Sequence, residues 1–153
     1  MDQSISSNHL IRKYKNTDLD DVLCCWESAF RLAHTFMEET FIAKVRADIP
    51  AIYLPNTETW VCEQEGSVIG FISMMGNEIA ALFVDPKTHG CGIGRALVDK
   101  ACIMREGKIT VEVFELNTIG RRFYTAYGFE YTDQYVFEDV NETVLKLTLK
   151  ETK

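Results

Sequence analysis

Within residues 81–100, "ALFVDPKTHGCGIGRALVDK", an apolar strand-like run passes into a helix-like run through five residues, Gly90 to Gly94, of which three are glycine. Glycine loses more backbone entropy on ordering than any other residue, so this density implies that something approaches the main chain too closely for side chains. A strand that turns straight into a helix also leaves unpaired amides at the positive end of the helix dipole, a ready site for a phosphate. A tight turn with no ligand fits an isolated GxG equally well. Two nucleotide patterns fail: a Walker loop would need a second glycine at Arg95, and a dinucleotide fingerprint would need a third glycine at Leu97.

The 153 residues predict one domain, 1–153, with 46% hydrophobic and 25% charged residues, as in an ordinary soluble protein. No apolar run approaches membrane-spanning length, and "MDQSISSNHL" has neither a basic start nor an apolar signal core, so a cytoplasmic location is expected. Five cysteines without a CxxC pair and three scattered histidines argue for reduced thiols and against a disulfide framework or a metal site. The net charge of -7 argues against nucleic acid and anionic membrane as partners and favours a cationic substrate.

Apolar spacing predicts a strand at 9–14 and a helix from Asn16–Asp18 onward with Leu19, Val22, Leu23, Trp26, Ala29, Phe30 and Ala33 on one face. A second helical stretch is bent or ended by Pro50 and Pro55. Three antiparallel strands follow over 58–84, with turns at "EG" and "GN". Then comes a helix from Ile93 with Leu97, Ala101 and Met104 on its buried side and Gly107 as its stop. A strand "KITVEVFE", a short helix ending at Gly128 and two closing strands complete the chain. The order predicts an α/β or α+β fold with a sheet of about seven strands covered on both faces.

"HGCGIG" resembles the Q/R-x-x-G-x-G/A motif of the GNAT superfamily of acyl-CoA-dependent N-acyltransferases, with His89 at the first position. Asn117 followed by "FYTAYGF", residues 123–129, is similar to that family's second signature. The "AHTF" junction and the "YLP…W" segment resemble a subgroup of small bacterial members that includes protein-lysine acetyltransferases. The resemblance implies the GNAT fold, a mixed, mostly antiparallel sheet with about four helices. It also implies transfer of an acetyl group from acetyl-CoA to a primary amine by direct attack, without a metal. A non-catalytic acyl-CoA sensor is the alternative, and a homodimer is left open.

By that resemblance the amides of Gly90, Cys91, Gly92, Ile93, Gly94 and Arg95, beside His89, hold the CoA pyrophosphate. The edge of Leu82, Phe83 and Val84 pairs with the pantetheine arm, Asn117 bonds that arm, and Phe123 packs near the adenine side. Tyr124 is the acid for the departing thiolate and a contact of the cofactor sulfur. Glu78 is the base, alternation placing it on one strand face with Ala80, Leu82 and Val84, and a strand amide such as that of Leu82 stabilises the oxyanion. His34, the second base candidate, borders the acceptor side with Phe30 and Phe36. Trp26, Trp60 and Tyr135 either line the acceptor side as well or, as aromatics at such spacing more often do, belong to the core.

Overall fold

The computed structural model describes residues 9–150, so residues 1–8 of the stretch weighed for targeting lie outside it. The strands are β1 (His9–Lys13), β2 (Glu58–Gln64), β3 (Ser67–Met75), β4 (Glu78–Val84), β5 (Ile109–Phe114), β6 (Glu130–Phe137) and β7 (Glu142–Leu149). The helices are α1 (Leu19–Ala33), α2 (Glu39–Asp48), α3 (Ile93–Met104) and α4 (Thr118–Tyr127). The seven strands form one sheet in the order β1-β2-β3-β4-β5-β7-β6. Every neighbouring pair is antiparallel except β4 and β5, which α3 joins as a parallel crossover.

Each face of the sheet carries its own apolar cluster. Val22, Cys25, Trp26 and Phe30, three to four residues apart along α1, pack with Ile42 of α2 on Val61, Val68 and Phe71. On the other face Ile93, Leu97, Val98 and Ala101 of α3 join Tyr124 and Tyr127 of α4 over Cys62, Ile72, Val111 and Val113. The start of α1 is tied to β1 by Asp18, whose carboxylate accepts two hydrogen bonds from Arg12, both 2.9 Å, and one from the Lys15 amide. Pro50 and Pro55 sit in two successive turns after α2, as expected.

Two details at α3 differ from expectation. Met104 is 38% exposed because the buried stripe ends at Ala101 and Cys102. The helix stops when Arg105 turns extended and donates to the Gly76 carbonyl and to Glu58. Gly107, at φ +85, belongs to the loop that follows and is not the stop.

A third difference shapes the site. The β3–β4 register runs Ser73↔Ala81 and then Met74↔Ile79, so Ala80 is an extra residue, a β-bulge. Ala81 and Phe83 therefore pack with the α1 cluster while Leu82 and Val84 pack with the α3 cluster. Glu78 does not share a face with Leu82 and Val84, as strict alternation requires, because the bulge reverses the parity between them.

Candidate active site

Strands β4 and β5 are paired only at Glu78↔Thr110 and Ile79↔Val111, and beyond those two residues they diverge. The opening is a cleft of about 590 Å³ whose walls include Leu82, Phe83, Val84, Val113, Asn117 and Tyr124. The Asp85 amide donates to the Ile69 carbonyl on β3. Backbone groups alternate sides along a strand, so Val84 and Leu82 direct their amides and carbonyls toward the opening. The Val84 carbonyl is met there by His89 Nε2 at 3.0 Å, which must be the donor because a carbonyl only accepts.

The loop into α3 closes one end of the cleft. Gly90 and Gly92 have φ of +86 and +84, and a Cβ built on either meets nothing within 4 Å. Their glycines answer to the left-handed backbone, not to crowding. Gly94 is the crowded one, since its Cβ would lie 3.0 Å from Cε1 of Phe123. What excludes a side chain there is the phenyl ring of "FYTAYGF", so the two sequence motifs touch each other.

Among the described residues the amides of Gly92, Ile93, Gly94 and Arg95 have no hydrogen-bond acceptor, as the first turn of a helix requires. The Cys91 amide donates to the Thr88 carbonyl at 3.2 Å, so it leaves the predicted cradle. The Arg95 guanidinium lies 4.8 Å over the ring of Tyr127. Open space over Gly90 and Gly92 and four free amides at a helix start suit a diphosphate.

Asn117 caps α4, its Oδ1 accepting from the Gly120 amide at 2.8 Å, so only its Nδ2 is left to donate into the cleft. The Tyr124 hydroxyl has no hydrogen-bond partner among the described residues, and the side chain is 7% exposed. Burial pushes its phenol well above the ordinary tyrosine value, so the group stays protonated.

A second cavity of about 490 Å³ lies on the α1 and α2 side. Phe41, Phe114 and Phe137 are among its aromatic walls, and Glu78, Glu112 and Asp139 are its carboxylates. The two cavities share Phe30, Ile79, Ala80, Ala81, Phe83, Glu112 and Phe114, so they meet across the bulged part of β4. Glu78 faces this second cavity, and its carboxyl is raised by burial first and by Glu112 second, with Lys146 opposing.

His34 lines the first cavity and not the second. Its ring stacks on Phe30 at 4.1 Å, and Nδ1 donates to the Phe30 carbonyl at 2.9 Å. Burial lowers its pKa, so Nε2 carries a free lone pair. Phe36 lines neither cavity, because it packs edge-on to His34 and Phe114 behind the wall. Trp26, which also belongs to the core, and Tyr135 line the second cavity, while Trp60 packs against the other core cluster between Lys13 and Lys100.

Residues 55–131 match the family model described as an acetyltransferase (GNAT) domain. The chain is 32% identical over 125 residues to peptidyl-lysine N-acetyltransferase YiaC of Escherichia coli, covering 81% of this chain and 85% of that protein. The chain belongs to the GNAT acetyltransferase family. The solution structure of apo YjaB from Escherichia coli aligns with a TM-score of 0.82 at 28% identity, covering 92% of this chain and 97% of that one. PaiA N-acetyltransferase from Thermoplasma acidophilum, solved with coenzyme A, shares the fold at a TM-score of 0.73 and 18% identity, covering 94% and 98%.

As a GNAT N-acetyltransferase the chain holds near the junction one group that motif reading missed, Glu112, and one, Tyr135, whose partner it did not foresee. Glu112 is the outward residue of "TVEVF", and a charge at that position, five residues before Asn117, was a usable signal. Tyr135 donates its hydroxyl hydrogen to Glu112 at 2.7 Å, a contact made across β7 that no local pattern announces.

Proposed function

We propose that this enzyme transfers the acetyl group of acetyl-CoA to a primary amine by direct attack in a ternary complex. The observation that carries the reading is the meeting of two cavities at the bulge, one with free helix-start amides and an open strand edge, the other with carboxylates and aromatic walls. The amides of Gly92 to Arg95 bind the pyrophosphate, and Leu82 and Val84 offer backbone groups to the pantetheine arm. The Asn117 Nδ2 adds a donor to that arm.

An amine enters protonated at neutral pH, so Glu78 takes the proton before nitrogen attacks the thioester carbonyl. The Leu82 amide stabilises the oxyanion, and the collapsing intermediate expels thiolate, which takes the Tyr124 hydroxyl proton, while the second proton lost by the attacking nitrogen restores the phenol. A phenol with no other partner is free to make that contact. The names of YiaC and YjaB point to a peptidyl lysine as acceptor, and the cavity walls suit an ammonium on an apolar stem.

Thiol release from acetyl-CoA with lysyl peptides and a panel of small amines tests the reading. Turnover on at least one acceptor is expected. Calorimetry showing no binding of CoA or acetyl-CoA at millimolar concentration would overturn it, and binding without turnover on any acceptor would leave a sensor.

A further inference from the structure

Glu112 stands two residues beyond Thr110, the register partner of Glu78, so the two carboxylates lie on the same face of adjacent strands. Both line the acceptor cavity, and Glu112 also reaches the wall of the cofactor cleft. They differ in their partners. Glu112 Oε1 accepts the hydroxyl hydrogen of Tyr135 at 2.7 Å, and Lys146 of β7 stands opposite it in register. The Glu78 carboxylate has no hydrogen-bond donor among the described residues.

Two carboxylates at one place resist joint ionisation, and a donor to one of them decides which keeps its charge. We propose that Tyr135 and Glu112 are positioning residues that select Glu78 as the carboxylate receiving the acceptor's proton. The proposal rests on the acetyltransfer reading above. In the step, an N–H bond of R–NH3+ breaks and an O–H bond forms on Glu78, leaving R–NH2 with its lone pair and a neutral Glu78. Glu112 does not take part in bonding.

The remaining polar groups around the pair are consistent with that division. Lys44 of α2 is held by Asp48 at 2.9 Å, and Tyr53 and Asp139 line the cavity from its turns. Tyr135 is pushed up to about 12, by burial first and then by its bond to Glu112, so it remains a donor wherever the enzyme works. Phe41, Phe114 and Phe137 offer ring faces and edges to an alkyl stem, which makes the favoured acceptor a cationic amine on an apolar chain.

The test is the pH dependence of kcat/KM with the best acceptor from the screen, for wild type, Glu78→Gln, Glu112→Gln, Glu112→Asp and Tyr135→Phe. Glu78→Gln is expected to remove the acid limb and to lower the plateau by about 10²-fold or more. Glu112→Gln keeps a limb but moves it to lower pH, and Glu112→Asp restores it toward wild type. Tyr135→Phe moves it to higher pH, since the negative charge of Glu112 then acts on Glu78 without the phenol's donated hydrogen to offset it. Opposite shifts from two partly exposed neighbours are not the mark of a structural defect. If Glu112→Gln leaves the limb in place while Glu78→Gln removes it, the proposal falls and Glu78 stands as base. If Glu78→Gln keeps the wild-type limb, both fall.

Discussion

Gly94→Ala tests whether the two sequence motifs are held together by contact. A Cβ at that position would lie 3.0 and 3.3 Å from two carbons of the Phe123 ring. Carbon pairs settle at about 3.5–4.0 Å, so the ring must retreat by about half an ångström or more. Overpacking of this kind costs about 1–3 kcal/mol. Gly94 lies in the first turn of α3, where replacing glycine by alanine recovers about 0.5–1 kcal/mol of backbone entropy. The net expectation is a loss of about 0.5–2 kcal/mol, read as a lower urea midpoint at unchanged m. Phe123 lines the cleft between β4 and β5, so on the proposed reading CoA affinity measured by calorimetry should fall with it. Adding Phe123→Leu should relieve the crowding and make the pair less than additive. A Gly94→Ala protein as stable and as tight for CoA as wild type would refute the packing argument, as would strict additivity of the two substitutions.

Tyr124→Phe should lower kcat by about 10²-fold or more while CoA binding stays near wild type, because the lost group acts on the leaving thiolate; wild-type thiol release would sink the acid assignment. Asp18→Asn should cost about 1–3 kcal/mol, since it weakens two charge-assisted bonds from Arg12 at the start of α1. The Arg12 bonds hold the Asp18 carboxyl below its ordinary value, so its contribution is present at neutral pH and is lost as pH falls through the folded pKa, below about 4. Urea unfolding as a function of pH checks both statements. His34 has the same sign for a different reason: burial lowers its pKa, so stability declines as pH drops from about 6.5, and His34→Gln should flatten that part of the curve.

Local pattern was enough for most of the fold. The spacing along α1, the "EG" and "GN" turns and the glycine after α4 each act within a few residues, and the helices and strands they predict are present. The errors have a common physical origin in contacts between distant segments. Arg105, not Gly107, ends α3 because Gly76 and Glu58 wait for its guanidinium. Phe36 lines neither cavity because its ring packs edge-on to Phe114. The glycines of "GCGIG" stand out in the sequence, but only the fold separates two that serve the backbone from one that serves Phe123. The Glu112–Tyr135 bond, between strands that are not even neighbours in the sheet, had no local signature at all.

Ala80 explains why one strand can serve both cavities. A regular β4 would turn Glu78 to the same side as Leu82 and Val84, toward the apolar cluster beneath α3, where an unpaired carboxylate is costly. The extra residue reverses the parity, so Glu78 faces the second cavity while Leu82 and Val84 keep their side chains packed under α3. The bulge lies directly after Ile79, the last residue of β4 paired with β5. Bulges bend a strand and increase its twist, so the same insertion that re-aims Glu78 also accounts for the divergence that frees the edge of Leu82 and Val84. On the proposed reaction the proton acceptor and the oxyanion donor are thus set four residues apart on one strand, with their relative orientation fixed by a single inserted alanine.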